Sequence, residues 1–237
     1  MRTKEFLSKN GVDMVVVDVL NDPGGRELLF EKYGLRKVPV LAKGDKYAFG
    51  QMLEPFAKLA GLSPTATQGL TPEQLYKKYE MVFAAAQRFA QQFPLERLSE
   101  RVIPHRERPI RTLCYHIFRI GESFLETWNG AEYSVKIADN DPPDSIKTGA
   151  DIAAYGASVW KRFEAWWAGV EDRSLSKPVK TYFGDVPAAK LFERATWHSA
   201  QHCRQLVAVL ERMGIAADRP LTPADLAGLP LPERLWE

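Results

Sequence analysis

Between Leu75 and Phe93 the apolar residues Leu75, Tyr79, Val82, Ala86, Phe89 and Phe93 recur at alternating steps of four and three. That spacing predicts one amphipathic helix with a continuous buried stripe. Thr71-Pro-Glu-Gln74 just ahead of it supplies an N-cap threonine, a proline at the first helical position and a glutamine at the third, which is a capping box. A second helix is predicted where Leu113, Ile117, Ile120 and Phe124 repeat at three- and four-residue steps. A third should run from about Ser145 to Val170, with Tyr155, Val159, Phe163, Trp166 and Val170 inward and Trp160 and Trp167 widening that face. The fourth should begin near Val186 and end at Gly214; Leu191, Ala195, His198, His202 and Val209 line one edge of its inner face, beside Phe192, Cys203, Leu206 and Leu210. Four such stripes need one another for burial, which predicts a four-helix bundle. After Ala216, Pro220, Pro223, Pro230 and Pro232 preclude a long helix, so the tail should pack across the bundle through Leu229, Leu231 and Trp236.

Residues 1–62 have a different rhythm. Thr3 to Gly11 reads as the end of a helix closed by Asn-Gly, and Val12-Asp-Met-Val-Val-Val-Asp-Val19 as a strand. Asn21 to Gly25 reads as a turn, and Arg26 to Tyr33 as a helix stopped by Gly34. Val38 to Ala42 and Tyr47 to Phe49 bracket Lys43-Gly-Asp-Lys46 as a hairpin, and Met52 to Leu62 forms a last short helix. Residues 63–70 are a linker by composition. The expected class is therefore α+β in two domains: an α/β unit over 1–62, a linker over 63–70, and a helical bundle with its tail over 71–237.

Composition narrows the possibilities. The 32 basic and 30 acidic residues leave a net charge of +2, which gives no basic excess for nucleic-acid binding. No apolar run reaches the length of a membrane span, and Met1-Arg-Thr-Lys-Glu does not open a signal peptide. The two cysteines, Cys114 and Cys203, form no CxxC pattern; both read as small buried hydrophobes in a reducing, cytoplasmic setting.

The histidines carry the candidate chemistry. His198 and His202 are four apart on a predicted helix, so their rings share a face and can close on one metal ion. A third imidazole has to come from His116 or His105. His116 falls on or beside the buried face of the second helix, whereas His105 is flanked by prolines and charges that read as a loop. Three imidazoles leave one tetrahedral position open, the pattern of reactive rather than structural zinc sites. Against this stands the ordinary role of a helical histidine as a hydrogen-bonded core residue.

The segment from Leu191 to Gly214, with its Trp-His-Ser-Ala-Gln-His-Cys-Arg-Gln-Leu string, together with the His116 helix, resembles the DinB or YfiT-like superfamily of four-helix bundles over residues 71–237. That family carries one histidine on its second helix and an H-x3-H pair on its fourth. The resemblance implies His116, His198 and His202 as ligands of a divalent metal: zinc, nickel or iron. It further implies a metal-dependent thiol S-transferase or isomerase acting on a small-molecule thiol and a second substrate, with a homodimer left open. Two other classes compete. A metal-dependent hydrolase needs a carboxylate as proton acceptor, for which Glu122 and Glu193 are candidates that read as solvated helix faces; the other is a non-catalytic metal-binding stress-response module.

Residues 1–62 resemble a glutaredoxin or thioredoxin-like domain through Lys4-Glu-Phe-Leu7, Gly11-Val-Asp13, Asp18-Val19, Tyr33-Gly-Leu-Arg36 and Val38-Pro39. The likeness implies a cis Val38–Pro39 bond, a glutathione-pairing backbone at Val38 and Pro39, and Arg36 near a glutathione carboxylate. The match is truncated: in that family a first strand and a CxxC motif precede the residues matching Met1 to Lys4. Gln51-Met-Leu53 also stands where acidic residues usually follow the glycine matching Gly50. Because no cysteine lies before Cys114, this chain should show no glutathione-dependent disulfide reductase turnover in a coupled assay. Turnover that disappears when Cys114 or Cys203 is blocked would place the redox chemistry elsewhere.

Overall fold

Helix ends explain most of the architecture. The structure, a computed structural model, describes all residues except 1, 20, 37, 50–51, 64–68, 103–106, 135–139 and 237, and leaves out the side chain of Arg2. The chain divides into two compact units, Met1–Gln68 and Gly69–Glu237. Among the described residues no helix is long and apolar enough to cross a membrane.

In the first unit, α1 (Arg2–Lys9) and α2 (Pro23–Tyr33) precede a hairpin of β1 (Val40–Lys43) and β2 (Lys46–Phe49), followed by α3 (Leu53–Ala60). Helix α2 starts at Pro23, inside the stretch read as a turn, and ends at Gly34, whose φ of 65° satisfies the left-handed closing position. The hairpin register pairs Val40 with Phe49 and Lys43 with Lys46, as expected from its turn residues. The core is small: Leu7, Ala48 and Phe56, with Phe6, Val12, Met14, Leu41 and Leu59 against them. The Val38–Pro39 bond is cis.

One expectation fails here. Val12 to Val19 forms no strand, and Val15 is 93% exposed. β-branched residues favour extended backbone, but a strand exists only when a neighbour accepts its hydrogen bonds. The only ladder among the described residues of this unit is that of β1 with β2.

The second unit is built on α4 (Pro72–Gln92), α5 (Ile110–Trp128), α6 (Gly149–Gly169) and α7 (Ala188–Arg212). Helices α4 and α5 each pack mainly on α6 and α7. Every residue of the predicted α4 stripe is buried. The expected capping box is present, with Gln74 N–H donating to the Thr71 hydroxyl at 3.3 Å and Thr71 N–H to Gln74 Oε1 at 2.9 Å. Helix α6 begins four residues later than expected, because Thr148 and Asp151 form a second capping box at 3.1 and 2.9 Å. Helix α7 begins at Ala188 rather than Val186, since Val186–Pro187 (β4) pairs with Pro178–Val179 (β3). Backbone carbonyls of Lys177 and Leu175 accept the first amides of α7 at 2.8 and 3.0 Å, so the helix start is satisfied without a side-chain cap. The rings of Tyr79, Phe83, Phe118, Phe124, Phe163 and Phe192 fill the interior. A four-residue helix, α8 (Pro223–Leu226), interrupts the tail, which packs on the bundle through Leu229, Leu231 and Trp236.

The first turn of α6 approaches α4 so closely that a Cβ on Gly149 would lie 2.1 Å from the Ala90 carbonyl oxygen. Backbone cannot step aside as a side chain can. Gly149→Ala should therefore destabilise the bundle by about 1–3 kcal/mol, although Gly→Ala in an open helix gains up to about 1 kcal/mol. Gly169→Ala, at the open end of the same helix, is the control. Urea midpoints followed by far-ultraviolet circular dichroism measure both, and equal midpoints would show that the helices can part.

Candidate metal centre

Helix α7 is locked to α5 by a buried hydroxyl. Ser199 Oγ lies 3.0 Å from the Ile117 carbonyl oxygen, to which it donates, and 3.2 Å from the Tyr79 hydroxyl. Since Ser199 spends its one proton on Ile117, the Tyr79 hydroxyl is the donor in the second bond. Ile117 follows His116 and Ser199 follows His198, so this bond sets the register at which the imidazoles meet.

His116, His198 and His202 offer ring nitrogens that all lie within 4.8 Å of one another. Their ring centroids are 5.5 Å (His116 to His198), 5.1 Å (His116 to His202) and 4.7 Å (His198 to His202) apart. His116 and His202 are each 4% exposed, and His198 is half-buried. A tetrahedral ion at the usual imidazole distance of about 2.0–2.1 Å needs nitrogens about 3.3 Å apart. Small side-chain rotations close that difference.

The donors suit a cation. Burial, then the neighbouring His202, Arg194, His116 and Arg108, hold the His198 pKa well below its ordinary value, so its ring is neutral and keeps a lone pair. Its Nδ1 is buried without a hydrogen-bond partner among the described residues. The tautomer of His202 follows from a relay. Gln205 Nε2 donates to the Leu235 carbonyl at 2.9 Å, which turns Gln205 Oε1 toward His202 Nδ1 at 2.7 Å. That oxygen accepts only from an N–H, so Nδ1 carries a proton and Nε2 is the nitrogen left for a cation. The three histidines thus fit a divalent cation by number, by convergence and by the support of Gln205.

The chain's similarity to known proteins accords with this geometry. The family model described as the DinB superfamily matches residues 56–206, and the glutaredoxin model matches residues 1–48. The chain belongs to the DinB superfamily. Metal binding is typical of that superfamily, and the DinB match includes all three converging histidines. Comparisons with curated proteins and with solved structures returned no match.

Other candidate residues fare differently. His105 lies outside the described residues, as do Gly50 and Gln51. Arg36 is exposed with its guanidinium 4.4 Å from the centre of the Phe30 ring, and exposed Val38 and half-buried Pro39 lead into β1. Glu122 does not sit on a solvated face. It is paired with Arg119 at 2.9 Å and with Arg162 at 2.5 Å, and Tyr155 bonds it too. Burial pushes its pKa up, but Tyr155, Arg162 and Arg119 outweigh that and hold it below its ordinary value. Glu193 is half-buried, its carboxylate against the backbone of Gly69. Sequence reasoning missed Gln205, three residues beyond His202, and Arg194, one turn before His198.

The relay makes a prediction. Gln205→Leu removes the acceptor of His202 Nδ1–H and should weaken zinc binding about 10–100-fold, read by competition with a chromophoric chelator. Gln201→Ala, which loses only bonds to the tail carbonyls of Arg234 and Leu235 and an Arg204 contact, should bind zinc within a few-fold of wild type. Equal affinities for all three proteins would remove Gln205 from the site.

Proposed function

We propose that this DinB-superfamily chain is a metal-dependent thiol S-transferase or isomerase that uses glutathione or a similar small thiol. The observation that carries the reading is the cluster of three converging imidazoles, in a chain whose first 48 residues match glutaredoxin. When bound there, a divalent cation keeps its full charge and acidifies a coordinated thiol, making a thiolate available near neutral pH. Zinc, nickel and iron(II) all suit imidazole donors.

The chain's own residues supply position and environment. Gln205 sets the His202 tautomer, Ser199 holds α7 in register with α5, and Trp197 covers one side with its ring centroid 5.6 Å from that of His198. In the glutaredoxin-like unit, Arg36, Val38 and Pro39 are the residues we assign to a glutathione-type thiol. Both cysteines are free and buried, their thiol pKa values pushed up by burial, so the nucleophilic sulfur belongs to the small molecule.

A hydrolase needs a carboxylate to take up a proton beside the cluster. Among the described residues no Asp or Glu joins the three histidines, and Glu122 is already committed to Arg119, Arg162 and Tyr155. These observations favour thiol chemistry.

Cobalt substitution tests the reading. Glutathione added to the cobalt protein should produce a sulfur-to-cobalt charge-transfer band that saturates with thiol, and His198→Ala and His202→Ala should lose the band together with the metal. A spectrum unmoved at saturating thiol would overturn the transferase reading and leave metal binding alone.

A further inference from the structure

Among the described residues two arginines are buried in the bundle, and they are treated differently. Arg119 is 6% exposed and forms ion pairs with Glu122 and Glu126 at 2.9 and 2.8 Å. Arg194, on α7, is 9% exposed and has no carboxylate partner among the described residues. Its Nη1 donates to the Tyr133 hydroxyl at 2.6 Å, its guanidinium lies 5.3 Å from the centre of that ring, and the Tyr182 hydroxyl also faces it. Its Nε–H is buried with no acceptor among the described residues. A buried guanidinium is costly without a counter-charge. Two neutral phenols do not supply one.

Position makes this imbalance informative. Arg194 precedes His198 by four residues, so the two side chains share one face of α7 about one turn apart. Tyr133 is fixed beside it by backbone bonds, Tyr133 N–H to the Lys180 carbonyl and Tyr182 N–H to the Tyr133 carbonyl, both 2.9 Å. No cationic ligand would be drawn to a place that already holds a guanidinium beside a candidate cation site. An anion would be drawn by both.

We infer that Arg194, with Tyr133, is the carboxylate-binding half of the site: the molecule that reacts at the three histidines carries a carboxylate that docks on the Arg194 Nε–H edge. A planar carboxylate matches the planar guanidinium fork, and the one-turn separation of about 5–6 Å between side-chain attachment points suits a carboxylate a few bonds from the reacting atom. The inference rests on the metal-thiol reading for what happens at the histidines, but not for the anion subsite itself.

The test separates the two. The cobalt-substituted protein is titrated with 3-mercaptopropionate and with its neutral isostere 3-mercaptopropionamide, following the charge-transfer band. The carboxylate should bind at least about tenfold more tightly, and Arg194→Gln should abolish that preference while its cobalt spectrum without thiol stays that of wild type. In parallel, succinate, succinamide and inorganic phosphate are titrated into the metal-free protein by calorimetry. Succinate should bind best, and more weakly to Arg194→Gln. No charge preference in wild type, or one that survives Arg194→Gln, overturns the inference; phosphate binding better than succinate overturns its carboxylate assignment. If cobalt or the thiol band fails while succinate still depends on Arg194, the metal-thiol reading falls and the anion subsite stands.

Discussion

The bond from Ser199 to the Ile117 carbonyl is the constraint on which the bundle's chemistry depends. Stripes of apolar residues bring helices together but slide by a turn at modest cost, whereas a buried hydroxyl has one good register. Leaving a buried donor unpaired costs about 1–3 kcal/mol, and here Tyr79 adds a second bond to the same oxygen. Register then decides chemistry, because the residues next to this bond are His116 and His198. The aromatic interior around Tyr79 acts in the same direction, since close-packed rings admit few other arrangements.

Charge is distributed in a matching way. The bundle neutralises one buried arginine with two glutamates on its own helix, and Tyr155 and Arg162 from α6 complete that cluster through Glu122. This fixes α5 against α6 and takes Glu122 out of any catalytic role. Beside the histidines the opposite holds: the described donors are imidazoles, the supporting groups are an amide and phenols, and the charged neighbours Arg194 and Arg108 are cations. Such a site does not cancel the charge of a bound cation, so a coordinated group feels it in full.

Much of this was legible in the sequence because it follows from period. The α4 stripe, the Thr71–Gln74 capping box and the four-residue spacing of His198 and His202 are local patterns with one geometric meaning, and the hydrophobic steps of α5 place His116 inward. What escaped depended on partners. Val12 to Val19 has strand composition but lacks a neighbouring strand. Glu122 reads as surface until Arg119, Arg162 and Tyr155 are seen around it. The late start of α6 was written in Thr148-Gly-Ala-Asp151, a capping box of the kind read correctly at Thr71 but passed over here. Tyr133 lies outside any helix, where periodicity says nothing.

Gln205 shows why the irregular tail belongs to the site. An amide facing only His202 has two orientations, and one of them presents NH2 to the ring and demands the opposite tautomer. The Leu235 carbonyl accepts from Gln205 Nε2 and so excludes that orientation. The same carbonyl accepts from Gln201, while Arg204 donates to the Pro232 carbonyl at 2.8 Å and to Gln201 Oε1 at 2.7 Å. Prolines keep the tail from forming a helix that would satisfy its own carbonyls. Those carbonyls are therefore left to accept from α7, and one of these bonds fixes which nitrogen of His202 keeps its lone pair. A segment without regular structure thus sets the tautomer of a residue 33 positions earlier, through one amide.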